Sequence, residues 1–435
     1  MSTAAPDETA AAAAPPGDAV SRPDGPARVA RTPWPWWDAR GWPWWVQSLA
    51  VFVAARAFGA VLLLVAAAAQ GANPWAPPHP TYWQITGLFW DSGWYHRIAT
   101  EGYPTELPIG PDGDVQQNAW AFFPLYPLLV RGVMTLTTLP WEVAAPLTSL
   151  VLAAAAMPVV HRAVTFGAPR AVAARPGLPL ATVALVCAFP TAVVLQVAYT
   201  EALALLLVAA ALLLLVRRRY LGASAVLIAL GLTRAVALPM LVVVLVHAAY
   251  RWREARRDGT ALPRRDLVGL GVLTAAAAAS GVLWPAICGL VTGDPQAYLR
   301  TQEAWRGVRE VTPFGSWGYV SRFWFGDTAP WVLLASFAFV VALLVVPAAW
   351  RLGPELHAWP AAYLLYLAAA VEPGSSLARF LLLAFPLGAV AAGVVTRPAA
   401  ARRAWFGGVL TLMLVLQAVW VWQIWRLRPG SGWPP

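Results

Sequence analysis

Lysine is absent from the 435 residues, so the formal net charge of +10 is carried by arginine alone. These arginines cluster between apolar segments, where the positive-inside rule places them, and that excludes nucleic-acid binding as the reason for the excess. Charged residues of both signs make up only 12% of the chain, against about 25% in a soluble domain. With 59% hydrophobic residues and a mean hydropathy of +0.59, a water-soluble fold could not hide so much apolar surface. Only two cysteines occur, Cys187 and Cys288, both inside apolar runs, which excludes a disulfide framework and a cysteine metal cluster. No His, Cys and Asp group has metal-ligand spacing. A basic start with a Leu-rich core is missing from the first residues, so no signal peptide is expected. No internal repeat of the transporter kind and no soluble catalytic segment is visible.

What is present are apolar runs able to cross ~30 Å of hydrocarbon, such as 46–69, 202–216, 267–291, 331–350 and 405–425. Residues 1–32 are rich in Ala, Pro and Gly without periodicity and read as a disordered tail. Trp34, Trp36, Trp37, Trp42, Trp44 and Trp45 then lead into the first run as an interfacial anchor. The chain therefore divides into a tail and Trp-rich lead at 1–45, a transmembrane domain at 46–425 and a short tail at 426–435. Most of the 25 tryptophans flank apolar runs and are expected as interface belts, a few as sugar platforms.

Arg217 to Arg219, the six arginines between Arg251 and Arg265, the group Arg397, Arg402 and Arg403, and the weaker group Arg162, Arg170 and Arg175 are all placed in the cytoplasm with the N-terminus. This predicts about eleven crossings, at 46–69, 144–161, 178–196, 200–216, 221–232, 235–250, 267–291, 330–350, 358–371, 380–396 and 405–425. Two large loops, 70–143 and 293–329, then lie outside, and 119–138 must be a re-entrant or interfacial helix. The fold class expected is an all-α polytopic membrane protein.

The first external loop carries Trp90-Asp91 followed by Tyr95, Ile98-Ala99 and Gly102-Tyr103. Asp91 among aromatics at the membrane mouth would be partly desolvated, which makes a carboxylate a better proton acceptor. The plain alternative is a helix N-cap. Ala121-Phe122-Phe123-Pro124 and Pro127 follow, and the two prolines are expected to break regular helix pairing. Glu201, in Tyr199-Thr200-Glu201-Ala202-Leu203, opens a long apolar run, either as a functional carboxylate or as a helix start favoured by the dipole. Arg234 and Arg379 are candidate phosphate binders, because guanidinium matches phosphate oxygens in a bidentate way. Either could instead snorkel to an interface or pair with Glu201 or Glu372.

In order and spacing these blocks resemble the PIG-V-type mannosyltransferases, the family of the second mannose transfer in GPI-anchor synthesis, which has bacterial relatives. The resemblance rests on Trp90-Asp91, Ile98-Ala99, Gly102-Tyr103, Ala121-Phe122-Phe123-Pro124, Pro127, Tyr199-Thr200-Glu201-Ala202-Leu203 and Arg234, with Gln302 and Trp305 similar to a Gln-x-x-(Tyr/Phe)-Trp element. It spans about residues 46–400. It implies a GT-C bundle that uses a polyprenyl-phosphate sugar, mannose by preference, with Asp91 as the catalytic acid residue. Trp90, Tyr95, Glu201, Arg234, Arg379, Gln302 and Trp305 would bind substrate. The stretch 105–117 is longer than the family's, and Glu106 is the nearest acidic residue after Gly102-Tyr103.

The reaction expected is an inverting sugar transfer on the outer face of the membrane. Asp91 takes the acceptor's proton while Arg234 or Arg379 holds the departing lipid phosphate. The acceptor would be a glycolipid, glycan or protein; no nucleotide pocket is needed and no metal is implied. The rivals are a transporter or flippase of a lipid-linked sugar and a surface-polysaccharide polymerase or ligase.

Overall fold

The computed structural model describes residues 41–306 and 312–428. The tail at 1–32, most of the Trp-rich lead and residues 429–435 lie outside the described residues. About three quarters of the chain is helical, and among the described residues the only β pairing is an isolated bridge between Ile109 and Val115. The protein is all-α.

Nineteen α-helices run through the described residues. The first seven are α1 (Trp44–Ala68), α2 (Tyr82–Gly87), α3 (Ser92–Glu101), α4 (Leu125–Thr137), α5 (Trp141–Gly167), α6 (Pro169–Ala174) and α7 (Leu178–Ala188). Then come α8 (Glu201–Val216), α9 (Tyr220–Gly231), α10 (Leu238–Arg257), α11 (Arg264–Thr292), α12 (Ala297–Arg306) and α13 (Ser316–Phe325). The last are α14 (Ala329–Val345), α15 (Pro347–Trp350), α16 (Pro354–Ala370), α17 (Leu377–Phe380), α18 (Pro386–Gly393) and α19 (Ala399–Trp420).

Five helical stretches are long and apolar enough to cross a membrane: Trp44–Ala68, Trp141–Gly167, Arg264–Thr292, Ser316–Trp350 and Ala399–Trp425. Helices α4, α7, α8 and α9 are apolar but shorter, at 10–17 residues. Two expected runs are interrupted for a local reason. Residues 178–196 stop being α-helical before Pro190, which lacks the N–H a helix needs, and resume as a 3-10 turn at Ala192–Gln196. Residues 380–396 likewise break before Pro386 into a 3-10 turn at Leu381–Leu383 and then α18.

Helix α5 packs along α8 at the centre of the bundle. Its inward face is small, with Ala144, Ala145, Ala153, Ala156 and Ala163 buried, so the Leu-rich α8 approaches closely. Gly231 at the end of α9 lies on the backbone of Ser280, where a Cβ would come within 2.6 Å of the carbonyl oxygen. That contact fixes the turn carrying Arg234. Gly87 does the same at the end of α2, against the backbone of Glu142.

One expectation needs correction. The prolines at 124 and 127 do not break a helix: Pro124 is the N-cap of α4 and Pro127 sits in its first turn, where a missing N–H costs nothing. Among the described tryptophans, Trp45, Trp252, Trp324, Trp331, Trp350, Trp405 and Trp422 are exposed, and Trp120, Trp141, Trp284, Trp359 and Trp425 are fully buried. Most buried indoles pin a backbone carbonyl, such as Trp141 to Gly87 at 2.8 Å, Trp284 to Trp120 at 3.1 Å and Trp359 to Leu383 at 2.8 Å. A buried indole N–H is usually satisfied in this way, though those of Trp420 and Trp425 have no partner.

Candidate active site

Four charged side chains from four distant segments meet in one network, with Glu201 and Arg379 buried and Asp91 and Arg234 partly buried. Asp91 sits at the N-cap position of α3, yet its carboxylate makes no cap hydrogen bond. It accepts instead from Arg379 Nη2 at 2.5 Å. Arg379 Nη1 donates to Glu201 Oε1 at 2.9 Å, and Arg234 Nη1 reaches the same oxygen at 2.6 Å. Arg234 also donates to Thr200 Oγ1 at 3.1 Å. Both arginines therefore pair with Glu201, while Glu372 lies apart and accepts from the Tyr319 hydroxyl at 3.2 Å.

Each member is placed by its own local structure. Glu201 opens α8, and the irregular run before it is tied down by the Ala198 N–H on the Thr86 carbonyl at 2.9 Å. Arg234 hangs from the turn between α9 and α10, and the Leu232 carbonyl there accepts the Leu125 N–H at 2.9 Å. That bond seats the Phe122-Phe123-Pro124 block on the Arg234 turn. Arg379 lies on α17, over the rings of Tyr199 at 4.8 Å and Phe380 at 4.9 Å. Arg234 covers the other part of Phe380 at 4.3 Å. Such cation–π contacts shield the guanidiniums without removing their charge.

The quartet is formally neutral, with two carboxylates and two guanidiniums. Burial pushes the Asp91 carboxyl above its ordinary range; Arg379 pulls it back, the Glu201 charge adds to the rise and Arg234 opposes it. Glu201 is fully buried, and its Oε2 has no hydrogen-bond partner while Oε1 takes both arginines. A free acceptor at that depth is costly unless something donates to it.

Aromatic side chains wall the site. Tyr95 is buried edge-on to Phe122 at 5.2 Å, Tyr126 at 5.7 Å and Tyr199 at 6.4 Å. Trp305 packs edge-on against Trp94 and Phe122, both at 5.2 Å, and donates to the Asn118 carbonyl at 3.2 Å. It thereby joins the second large loop to the first. Gln302 is half-buried on α12, one turn from Trp305. Trp90 is buried, with its indole on the Trp425 carbonyl at 2.8 Å. Glu106 is exposed and makes no ion pair among the described residues. On α3, Arg97 pairs with Glu101 at 2.9 Å, both exposed.

Tyr199, Thr200, Phe380 and Trp425 also contact these residues; the sequence marked Tyr199 and Thr200 only as members of the Glu201 block, and none of the four as a site residue. Tyr199 Oη accepts the Asp91 backbone N–H at 3.2 Å. Adjacency to Glu201 and Arg379 was the signal for the first three; none existed for Trp425, 335 residues from its partner. Among the described residues no group of three or more His, Cys, Asp or Glu is placed to hold a metal ion. Compared with known protein families and with curated proteins, the chain matches none.

Proposed function

We propose that this protein is a GT-C-type membrane glycosyltransferase of PIG-V-like character, moving a sugar from a polyprenyl phosphate, mannose by preference, to a hydroxyl on the outer face. The observation that carries this reading is the convergence of Asp91, Glu201, Arg234 and Arg379 into one ion-pair network built on the buried Glu201 and Arg379.

The chemistry follows from charge conservation. Asp91 accepts the proton as the acceptor O–H bond breaks and the new bond to the anomeric carbon forms. The bond from that carbon to the phosphate oxygen breaks with its electron pair leaving on the phosphate. A singly charged phosphodiester becomes a doubly charged phosphomonoester while Asp91 becomes neutral, so one negative charge passes from Asp91 to the phosphate. Arg379, which holds Asp91 at rest, is then free to hold the phosphate, and Arg234 supports it. Glu201 keeps both cations in register and offers Oε2 to a sugar or acceptor hydroxyl. Displacement from the opposite face inverts the anomeric centre.

The topology proposed with this reaction has eleven crossings and a cytoplasmic N-terminus. Glu201 starts α8 and Arg217 to Arg219 follow its end, 16 residues or about 24 Å away. Arg234 precedes α10, whose last turn holds Arg256 and Arg257. The site thus sits at the ends opposite the arginine clusters, which the positive-inside rule makes external.

Membranes from an expressing strain, given radiolabelled polyprenyl-phosphate mannose, are expected to pass label to a lipid, glycan or protein. Label that crosses vesicle membranes while still on its polyprenyl carrier, with no transfer, would make the protein a transporter instead.

A further inference from the structure

The turn that follows α19 meets the Asp91 loop. Helix α19 gives way to a π-helical turn, Val421–Trp425, closed by the Arg426 N–H on the Val421 carbonyl. Such turns leave end carbonyls without a partner in the helix. The Trp425 carbonyl finds its partner in the Trp90 indole at 2.8 Å. Beside it, the Leu427 N–H donates to Gln70 Oε1 at 3.0 Å, and Gln70 Nε2 donates to the Leu427 carbonyl at 3.1 Å. Gln70 is buried, and so are Trp90 and Trp425.

Trp90 itself has φ of 60°, a left-handed conformation that a bulky residue adopts only when its surroundings impose it. This turn sets the direction in which Asp91 leaves α2 and enters α3. The residue on the other side of Asp91 is held too: the Trp425 ring packs edge-on against Tyr199 at 5.5 Å, and Tyr199 Oη receives the Asp91 N–H. Trp75 closes the turn from outside, 4.7 Å from the Trp90 ring.

We infer that the π-helical turn Val421–Trp425 is a positioning element for Asp91, with the Trp425 carbonyl fixing the Trp90 turn and the Trp425 ring fixing Tyr199. The inference rests on the proposed role of Asp91. Displacing a reacting group by ~1 Å can cost on the order of 10²-fold in rate. The Trp425 indole N–H has no hydrogen-bond partner, so Phe at 425 retains the carbonyl and an aromatic edge and loses no bond.

The test uses the full chain in membranes with Trp90→Phe, Trp425→Ala, Trp425→Phe and Asp91→Asn. Trp90→Phe and Trp425→Ala are expected to lower kcat about 10–100-fold with donor KM changed less than about twofold. The acid limb of their pH profile should move to higher pH, because Asp91 loses contact with Arg379. Trp425→Phe should behave as the parent. Independently of turnover, amide exchange of residues 88–95 should speed up in the first two variants and not in Trp425→Phe. Unchanged exchange in Trp90→Phe and Trp425→Ala overturns the inference whatever the activity. Unchanged kcat and pH profile in those two, with Asp91→Asn inactive, overturns it while leaving the proposed reaction standing. Full activity of Asp91→Asn overturns both.

Discussion

Arg379 Nη2 stands 2.5 Å from Asp91 Oδ2, across 288 residues of chain, and this contact decides what Asp91 is. A capping aspartate turns its carboxylate onto the N–H groups of its own helix; this one turns away from α3 to a cation.

Asp91→Asn separates base from cap. Asn caps a helix about as well as Asp, so a capping role would survive the substitution. Loss of a general base is expected to slow transfer by ~10²–10⁴. Initial rates on labelled donor, with protein yield as the control, measure it; near-parental turnover would remove Asp91 from the mechanism.

The pH profile carries a sign. In the proposed reaction Asp91 acts ionised, and burial raises its carboxyl despite Arg379. Activity should therefore fall, as pH is lowered, above the ordinary aspartate value of about 3.9. An acid limb at or below the ordinary value would contradict this expectation.

Glu201→Gln should be the destabilising member of the set. One fully buried oxygen of Glu201 takes both guanidiniums, and removing its charge leaves Arg234 and Arg379 with Asp91 alone. Breaking a buried pair costs about 3–5 kcal/mol. Thermal unfolding in detergent should show a clear drop in midpoint, larger than for any exposed pair such as Arg97 with Glu101.

Arg379→Lys should lose more activity than Arg234→Lys. Arg379 uses two nitrogens to serve two carboxylates at once, which one ammonium on a flexible stem cannot reproduce. Removing one charged donor typically costs about 2–4 kcal/mol of transition-state stabilisation. Equal activity of both variants, or full activity in Arg379→Lys, would show that the fork is not used.

Orientation can be read by whole-cell labelling with an impermeant thiol reagent. Cys187 and Cys288 are fully buried and should stay silent. Asp112 and Asp258 are exposed, and Asp258 avoids the positive φ of the neighbouring Gly259. Asp112→Cys should label and Asp258→Cys should not; the reverse would invert the topology.

The amino-acid sequence by itself determined that the chain is helical and apolar, and it marked Asp91, Glu201, Arg234 and Arg379, because a charged residue among apolar neighbours is visible in one dimension. It could also pair Arg97 with Glu101, four residues apart on one helix. It overstated the unbroken runs at 178–196 and 380–396, where hydropathy outweighed a single proline. Only the tertiary structure decided that the four charges share one network, that Glu201 rather than Glu372 receives the arginines, and that buried tryptophans pin backbone carbonyls. Those outcomes depend on contacts such as Asp91 with Arg379 and Trp90 with Trp425, made between residues hundreds apart. Local periodicity carries no term for such distances; close packing of α5 on α8 and of Gly231 on Ser280 brings the segments together, and the cost of burying each charge alone forces them to pair.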